Sequence, residues 1–148
     1  MRKAGAGAMD DGARAWIVGL LAGSPVARSI GLRFREIAPD RVVAELPFST
    51  GNVTVGDIVH GGVIATLIDV AGAAASSSGI GKGEATGGAT STLAISFLAP
   101  ASGCDLEAEA QVVQRGRSQT VSDVSVRSPD GVLVARALVT SRIFGSKG

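Results

Sequence analysis

The stretch VHGGVIATLIDVAG, residues 59–72, decides the fold of this chain. From Gly61 to about Ser78 no proline intervenes, and apolar side chains occupy nearly every direction that a helix would give them. A helix that is apolar on all sides is typically buried in a core. We therefore predict one long central helix, which follows the only histidine, His60, and contains one carboxylate, Asp69.

Length and composition predict one globular domain. A chain of 148 residues with 45% hydrophobic and 18% charged residues can form one substantial core. Only 3% of the residues are aromatic, so small and β-branched side chains must fill that core. We expect a single domain over residues 13–146 and a flexible N-terminal segment over residues 1–12.

The sequence before the central helix predicts a short helix and two strands. Apolar residues recur at helical spacing from Ala13 to Ala22, and Gly23 and Pro25 end this segment. The elements expected next are a strand at Ala27–Ile37, a turn at Pro39-Asp40, a strand at Arg41–Pro47 and an irregular loop over residues 48–59.

The sequence after the central helix predicts β-structure. Residues 79–88, GIGKGEATGG, lack the G-x-x-x-x-G-K-[ST] spacing of a phosphate loop and favour a connector. Apolar and polar residues then alternate in strands with one face in the core. Ser128-Pro129-Asp130-Gly131 predicts a hairpin turn between the last two strands. The apolar positions are Leu93, Ile95 and Phe97; Leu106, Ala108, Ala110 and Val112; and Leu133, Ala135, Ala137, Val139 and Ile143.

Together these elements predict an α+β protein of hotdog architecture. Five or six antiparallel strands, each with one apolar face, can bury an all-apolar helix only as a curved sheet that wraps around it. The short N-terminal helix is expected to cover one end of that sheet.

Composition also excludes several classes of function. A net charge of +1 without a basic cluster argues against a nucleic-acid partner. One histidine and one cysteine, Cys104, cannot form an ordinary zinc site or an intrachain disulfide, and we expect no metal and no cofactor. Asp57 and Asp69 interrupt the most apolar region and no signal peptide is evident, so we expect a soluble, cytoplasmic protein with no membrane contact.

The spacing of His60 and Asp69 predicts a dimer. Nine helical residues correspond to about half a turn of phase and an axial distance of about 13 Å. The two side chains therefore cannot meet within one helix. If both serve one site, a second copy must align its helix in the opposite direction, so the site requires a homodimer.

Asp69, His60 and the two glycines between them are candidate catalytic groups. A carboxylate in an apolar wall can act as a general base or nucleophile, although Asp69 could instead bond a neighbouring backbone or line a subunit interface. Gly61 and Gly62 begin the helix, where free N–H groups can form an oxyanion hole, or they merely form a tight turn. His60 either orients a substrate carbonyl or fixes the loop. With no G-x-S-x-G motif present, metal-free acyl chemistry remains.

Four motifs at their observed spacing resemble the PaaI-like branch of the hotdog acyl-CoA thioesterases. They are VHGGVIATLIDVAG, TLAISFLAPA, VVQRGRS and SPDGVLVARA, and the resemblance extends from Arg28 to Phe144. It implies a sheet-wrapped helix, dimers that often pair into tetramers, and hydrolysis of an acyl thioester in which CoA is part of the substrate.

The resemblance also implies roles for individual residues. Asp69 matches the catalytic acid, Gly61 the oxyanion amide, and His60 the group beside it. Thr90 falls where relatives place a Ser or Thr near the acid or the attacking water. An asparagine is expected six residues before the histidine, but Thr54 stands there, and Asn52 can substitute only if the loop is longer. The residues expected to bind substrate are Gly62 and the CoA-phosphate segment Arg115, Gly116, Arg117 and Ser118.

Hydrolysis of an acyl-CoA is therefore the predicted function. Asp69 would either attack the carbonyl, forming a mixed anhydride, or deprotonate a water molecule. The alternatives are an acyl-CoA sensor without catalysis, since a fold can bind a ligand without turning it over, and an enoyl-CoA hydratase.

Overall fold

One antiparallel sheet wraps around one helix in the computed structural model, which describes residues 9–81 and 87–145. The sheet has six strands in the order β1-β2-β4-β5-β6-β3. The strands are β1 (Arg33–Ala38), β2 (Arg41–Leu46), β3 (Gly87–Phe97), β4 (Leu106–Arg115), β5 (Gln119–Arg127) and β6 (Leu133–Phe144). The helices are α1 (Asp11–Trp16), α2 (Pro25–Ile30) and α3 (Gly61–Ser78), with a π-helical turn at Ile17–Leu21 and a 3-10 turn at Thr50–Asn52. The predicted α+β hotdog fold is thereby confirmed.

The core lies between α3 and the concave face of the sheet. Leu67 and Ile68 of α3 are fully buried, as are Val124 of β5 and Val139 of β6. A Cβ atom on Gly72 would lie 2.7 Å from the side chain of Val139, so only glycine allows α3 to approach β6 this closely. Although α3 is long and apolar enough to span a membrane, the sheet covers it and 56% of it is buried.

The N-terminal helix begins earlier than predicted and is less regular. Asp10 caps α1, its side chain accepting a hydrogen bond from the Ala13 N–H, and Met9 before it is buried. The folded part of the chain therefore includes Met9, whereas the first eight residues of the expected flexible segment lie outside the described residues. The expected helix over residues 13–22 is α1 followed by the π-helical turn.

The predicted strand at Ala27–Ile37 is wrong in its first half. Ser24 accepts a hydrogen bond from the Ala27 N–H, Pro25 occupies the first turn, and Gly31 ends the segment with φ 84°, so Pro25–Ile30 is helix α2. These are ordinary start and stop signals for a helix, and here they outweigh the apolar pattern. The strand itself starts at Arg33.

The later elements follow the predictions closely. The hairpin turn at residues 128–131 joins β5 to β6, with Gly131 at φ 87°. Of the expected connector over residues 79–88, the last two residues already belong to β3, and residues 82–86 lie outside the described residues.

Candidate active site

The start of α3 is held by His60 and Asn52. The His60 Nδ1 atom accepts a hydrogen bond of 2.8 Å from the Gly62 N–H, and the His60 N–H donates to the Asn52 carbonyl at 2.8 Å. The neighbouring Gly61 N–H has no acceptor among the described residues. The imidazole thus fixes the helix entry and occupies one glycine amide, while it leaves the other available to a substrate oxygen.

Asn52 is buried and serves the loop. Its Nδ2 atom donates to the Ile30 carbonyl at 2.7 Å, which ties the 3-10 turn to the end of α2. Only 6% of the residue is exposed. In this protomer the side-chain N–H group of Asn52 is therefore directed to the backbone rather than toward the Gly61 amide.

Asp69 and Thr90 meet at the other part of the site. The Thr90 hydroxyl donates a hydrogen bond of 2.6 Å to Asp69 Oδ1, and both side chains are half-buried. Eight helical residues separate Gly61 from Asp69, an axial distance of about 12 Å. Within one protomer, the acid and the free glycine amide therefore do not share a site.

A β-bulge directs Thr90 toward Asp69. Strand alternation places Leu93, Ile95 and Phe97 on the concave face, so an unbroken strand would turn Thr90 outward. The register of β3 against β6 shifts between Thr90 and Thr92, which inserts one residue and brings Thr90 back to the concave face opposite Ser141. Bulges commonly re-aim side chains beside functional sites.

Arg115 is engaged in the fold. Its guanidinium donates to Asp40 Oδ1 at 2.7 Å and to the Ser76 carbonyl at 2.9 Å near the end of α3. The rest of the expected phosphate segment is exposed in the turn between β4 and β5, namely Gly116, Arg117 and Ser118. To bind CoA phosphates as expected, Arg115 would have to give up its ion pair with Asp40 at the C-terminus of α3.

A cavity of about 400 Å³ adjoins the Asp69–Thr90 pair. It lies between α1, α3 and the edge formed by β3 and β6. Of its lining residues the sequence predicted only Asp69 and Thr90 as site residues, and it missed the others, Trp16 and Ser141 among them. Ser141 could have been predicted, because it lies on the core-facing side of β6, where the alternation otherwise places apolar residues. Trp16 gave no such signal, since any amphipathic helix would bury it.

Cys104 is a poor alternative nucleophile. Burial raises the pKa of its thiol, and the carboxylates of Asp130, Asp105 and Asp57 raise it further. The reactive thiolate is therefore disfavoured at neutral pH. Cys104 is also absent from the lining of the cavity beside Asp69, so Asp69 remains the candidate for the reaction.

Comparison with known proteins identifies the family. A model described as the thioesterase superfamily matches residues 56–135, more than half of the chain. The chain belongs to this superfamily. A proposed esterase of Halobacterium salinarum is 48% identical to this thioesterase-superfamily protein over 71 residues. These residues are 48% of this chain and 46% of the relative, so the match spans about half of the relative's length. A proposed esterase of Saccharolobus solfataricus is 29% identical over 82% of this chain and 85% of its own.

Solved structures share the fold of this superfamily member. AziG of S. sahachiroi is 30% identical, with a TM-score of 0.77 over 83% of this chain and 98% of that one. The E. coli PaaI protein from the phenylacetic acid degradation operon is 22% identical, with a TM-score of 0.81 over 94% and 98%. A hypothetical thioesterase of Streptococcus pneumoniae, solved with coenzyme A, is 22% identical, with a TM-score of 0.73 over 83% and 94%. The resemblance to PaaI-like hotdog thioesterases is confirmed.

Proposed function

We propose that the protein hydrolyses acyl-CoA thioesters, with Asp69 as nucleophile or general base. The observation that carries this proposal is the Asp69 carboxylate, held by Thr90 beside a cavity of about 400 Å³. Because one carboxylate oxygen accepts the Thr90 hydroxyl, the other can face a thioester carbonyl or a water molecule. Membership of the thioesterase superfamily and the related structure with coenzyme A support this substrate class.

The active unit is a homodimer in this proposal. Strand β3 is an edge strand, and Leu93 and Phe97 on its concave face remain 39% and 54% exposed. Exposed apolar strand edges invite pairing with another chain. The convex face instead carries ion pairs such as Arg41–Glu109 and Arg136–Asp123, which are suited to water.

Pairing of two β3 strands would complete the site. If two copies join antiparallel along β3, their α3 helices also lie side by side in opposite directions. Gly61 of the partner subunit would then approach Asp69 across the interface. This arrangement brings together the free amide and the acid, which are about 12 Å apart along α3 of a single chain.

The reaction follows from the groups in this arrangement. The Gly61 N–H donates to the thioester oxygen and stabilises the negative charge that develops there. In one route Asp69 attacks the carbonyl carbon, the carbon–sulfur bond breaks, and CoA leaves as a thiolate; water then hydrolyses the mixed anhydride. In the other route Asp69 takes a proton from water, the hydroxide attacks, and the expelled thiolate accepts that proton.

The experiment is a thiol-release assay with a panel of acyl-CoAs. We expect Asp69→Asn to lower kcat by about 10²–10⁴-fold, the usual contribution of a positioned acid–base group. Asp123→Asn is the matched control, because Asp123 pairs with Arg136 on the convex face and should leave kcat unchanged. Undiminished turnover by Asp69→Asn would contradict the proposal. It would also be contradicted if acyl-CoA raised the Tm of the wild-type protein without any release of thiol, because that result indicates a sensor.

Two broader expectations belong to the same proposal. We expect the cytoplasm as the site of action, because Cys104 has no second cysteine with which to pair. Pairing of dimers into tetramers, as the resemblance implies, is measured by the sedimentation experiment described below.

A further inference from the structure

We propose that the cavity beside Asp69 is a channel for an unbranched acyl chain of medium length, and that Trp16 and Ala73 set the length it accepts. The inference rests on the proposed function, because it assigns the acyl group of the thioester to this cavity.

The lining of the cavity extends along α3. One stripe of that helix lines it, from Asp69 through Ala73 to Ser77, a distance of about 12 Å along the axis. On the opposite wall, residues 87–90 of β3 line it over about 10 Å. Its volume of about 400 Å³ lies within the range of small-molecule sites. The length of both walls suits an extended group better than a compact one.

The Asp69 end of the cavity is polar, and the rest of the lining is mostly small or apolar. Thr90 and Ser141 stand opposite each other on neighbouring strands at the Asp69 end. Ser141 is 5% exposed, and its buried hydroxyl has no hydrogen-bond partner among the described residues. Small or apolar residues make up most of the rest, among them Ala73, Gly87, Gly88, Leu21, Ile80 and Trp16, whereas Asp10, Ser76, Ser77 and Arg142 add polar groups. A thioester carbonyl fits the polar end, and its hydrocarbon tail fits the remainder.

The length of the walls gives the length of the chain. Carbon–carbon bonds of about 1.5 Å advance an extended chain by roughly 1.3 Å per carbon. A channel of about 10–12 Å therefore holds roughly eight carbon atoms. An acetyl group would leave most of this channel unfilled, and a single aromatic ring would fill only part of its length.

Trp16 and Ala73 line this space from two different helices, α1 and α3. Trp16 has the largest side chain in the lining, and the next residue, Ile17, is fully buried and anchors it. The π-helical turn that starts at Ile17 ends at Leu21, which lines the same cavity. Such turns often mark functional sites. Ala73 lies midway along the α3 stripe, so a larger side chain there would shorten the channel.

The test measures kcat/KM by thiol release for acetyl-, butyryl-, octanoyl-, myristoyl- and phenylacetyl-CoA. We expect the wild-type protein to favour octanoyl-CoA. Trp16→Ala should raise the ratio of myristoyl to octanoyl activity about tenfold, because the space left by the indole ring lets about two further methylenes of the longer chain be buried. Ala73→Leu should lower the ratio of octanoyl to butyryl activity by a similar factor. Val18→Ala, at an exposed position of the same segment, should leave both ratios unchanged.

The outcomes separate the channel from the activity itself. If the folded wild-type protein releases no thiol from any of the acyl-CoAs, the proposed function is overturned, and so is the channel. If the wild-type protein favours acetyl- or phenylacetyl-CoA, the channel alone is overturned. The same holds if neither Trp16→Ala nor Ala73→Leu changes the ratios of activity between chain lengths. If Ala73→Leu fails to fold, Trp16→Ala decides, because it removes atoms from a half-buried side chain.

Discussion

At the scale of single residues, the Asp69 carboxylate depends on one hydroxyl. Thr90 donates to Asp69 Oδ1 at 2.6 Å, and hydrogen bonds to charged groups contribute about 1.5–3 kcal/mol. Thr90 holds the carboxylate on the concave side of β3, where a substrate carbonyl would lie. In our proposal it is a positioning residue, which acts on the reaction through Asp69.

Removal of the Thr90 hydroxyl should lower turnover. We expect Thr90→Val to reduce kcat by about 10–100-fold with little change in KM, which corresponds to the loss of one charge-assisted hydrogen bond. Thr90→Ser keeps the hydroxyl and should restore most of the rate. Thr92→Val is the matched control, because Thr92 is exposed on the other face of the strand. Equal losses in Thr90→Val and Thr90→Ser would show that packing, and not the hydroxyl, matters.

At the scale of elements, two β-bulges direct polar side chains toward α3. In β3 the extra residue turns Thr90 toward Asp69. In β4 the register shifts between Val112 and Gln114, and this turns Arg115 toward the end of the helix. Without the second bulge the guanidinium would face water, and the carbonyls that end α3 would lose a cation.

Substitution of Arg115 should affect stability more than substrate binding. We expect Arg115→Met to lower Tm by about 3–8 °C, because Asp40 and the Ser76 carbonyl lose their donor. Arg117→Met, at an exposed position of the same turn, should leave Tm unchanged and raise KM for acyl-CoA if that side chain meets the phosphates. Thermal melts measure the Tm of both variants, and steady-state kinetics measure their KM for acyl-CoA. An unchanged Tm with a raised KM for Arg115→Met would instead assign the phosphate contact to Arg115.

At the scale of the whole molecule, the sheet leaves the concave side of its β3 edge incompletely covered. The helix covers Val139 of β6 completely, whereas Leu93, its partner in β3, is 39% exposed. An edge of this kind is normally blunted by charge or covered by another chain. In our proposal a second copy covers it and supplies the missing half of the active site.

A charge on this edge should dissociate and inactivate the protein. We expect Leu93→Asp to sediment as a monomer and to lose activity, while circular dichroism reports an intact fold. Val113→Asp, at an exposed apolar position on β4, is the control and should remain dimeric and active. Analytical ultracentrifugation of the wild-type protein also measures any tetramer. A monomeric Leu93→Asp with full activity would contradict the shared site.

The sequence by itself determined the long buried helix and the alternating strands, because helical and strand periodicity are local properties of the chain. It also indicated Asp69 as the candidate acid, which the activity of Asp69→Asn will test. The apolar pattern alone gave a wrong prediction at Ala27–Ile37, where the local capping residues Ser24 and Gly31 favour a helix over the first half. Only the tertiary structure decided that β3 pairs with β6, that bulges turn Thr90 and Arg115 inward, and that Trp16 lines a cavity with Asp69. Strand order and side-chain direction beyond a bulge depend on contacts between distant parts of the chain, which no local pattern records.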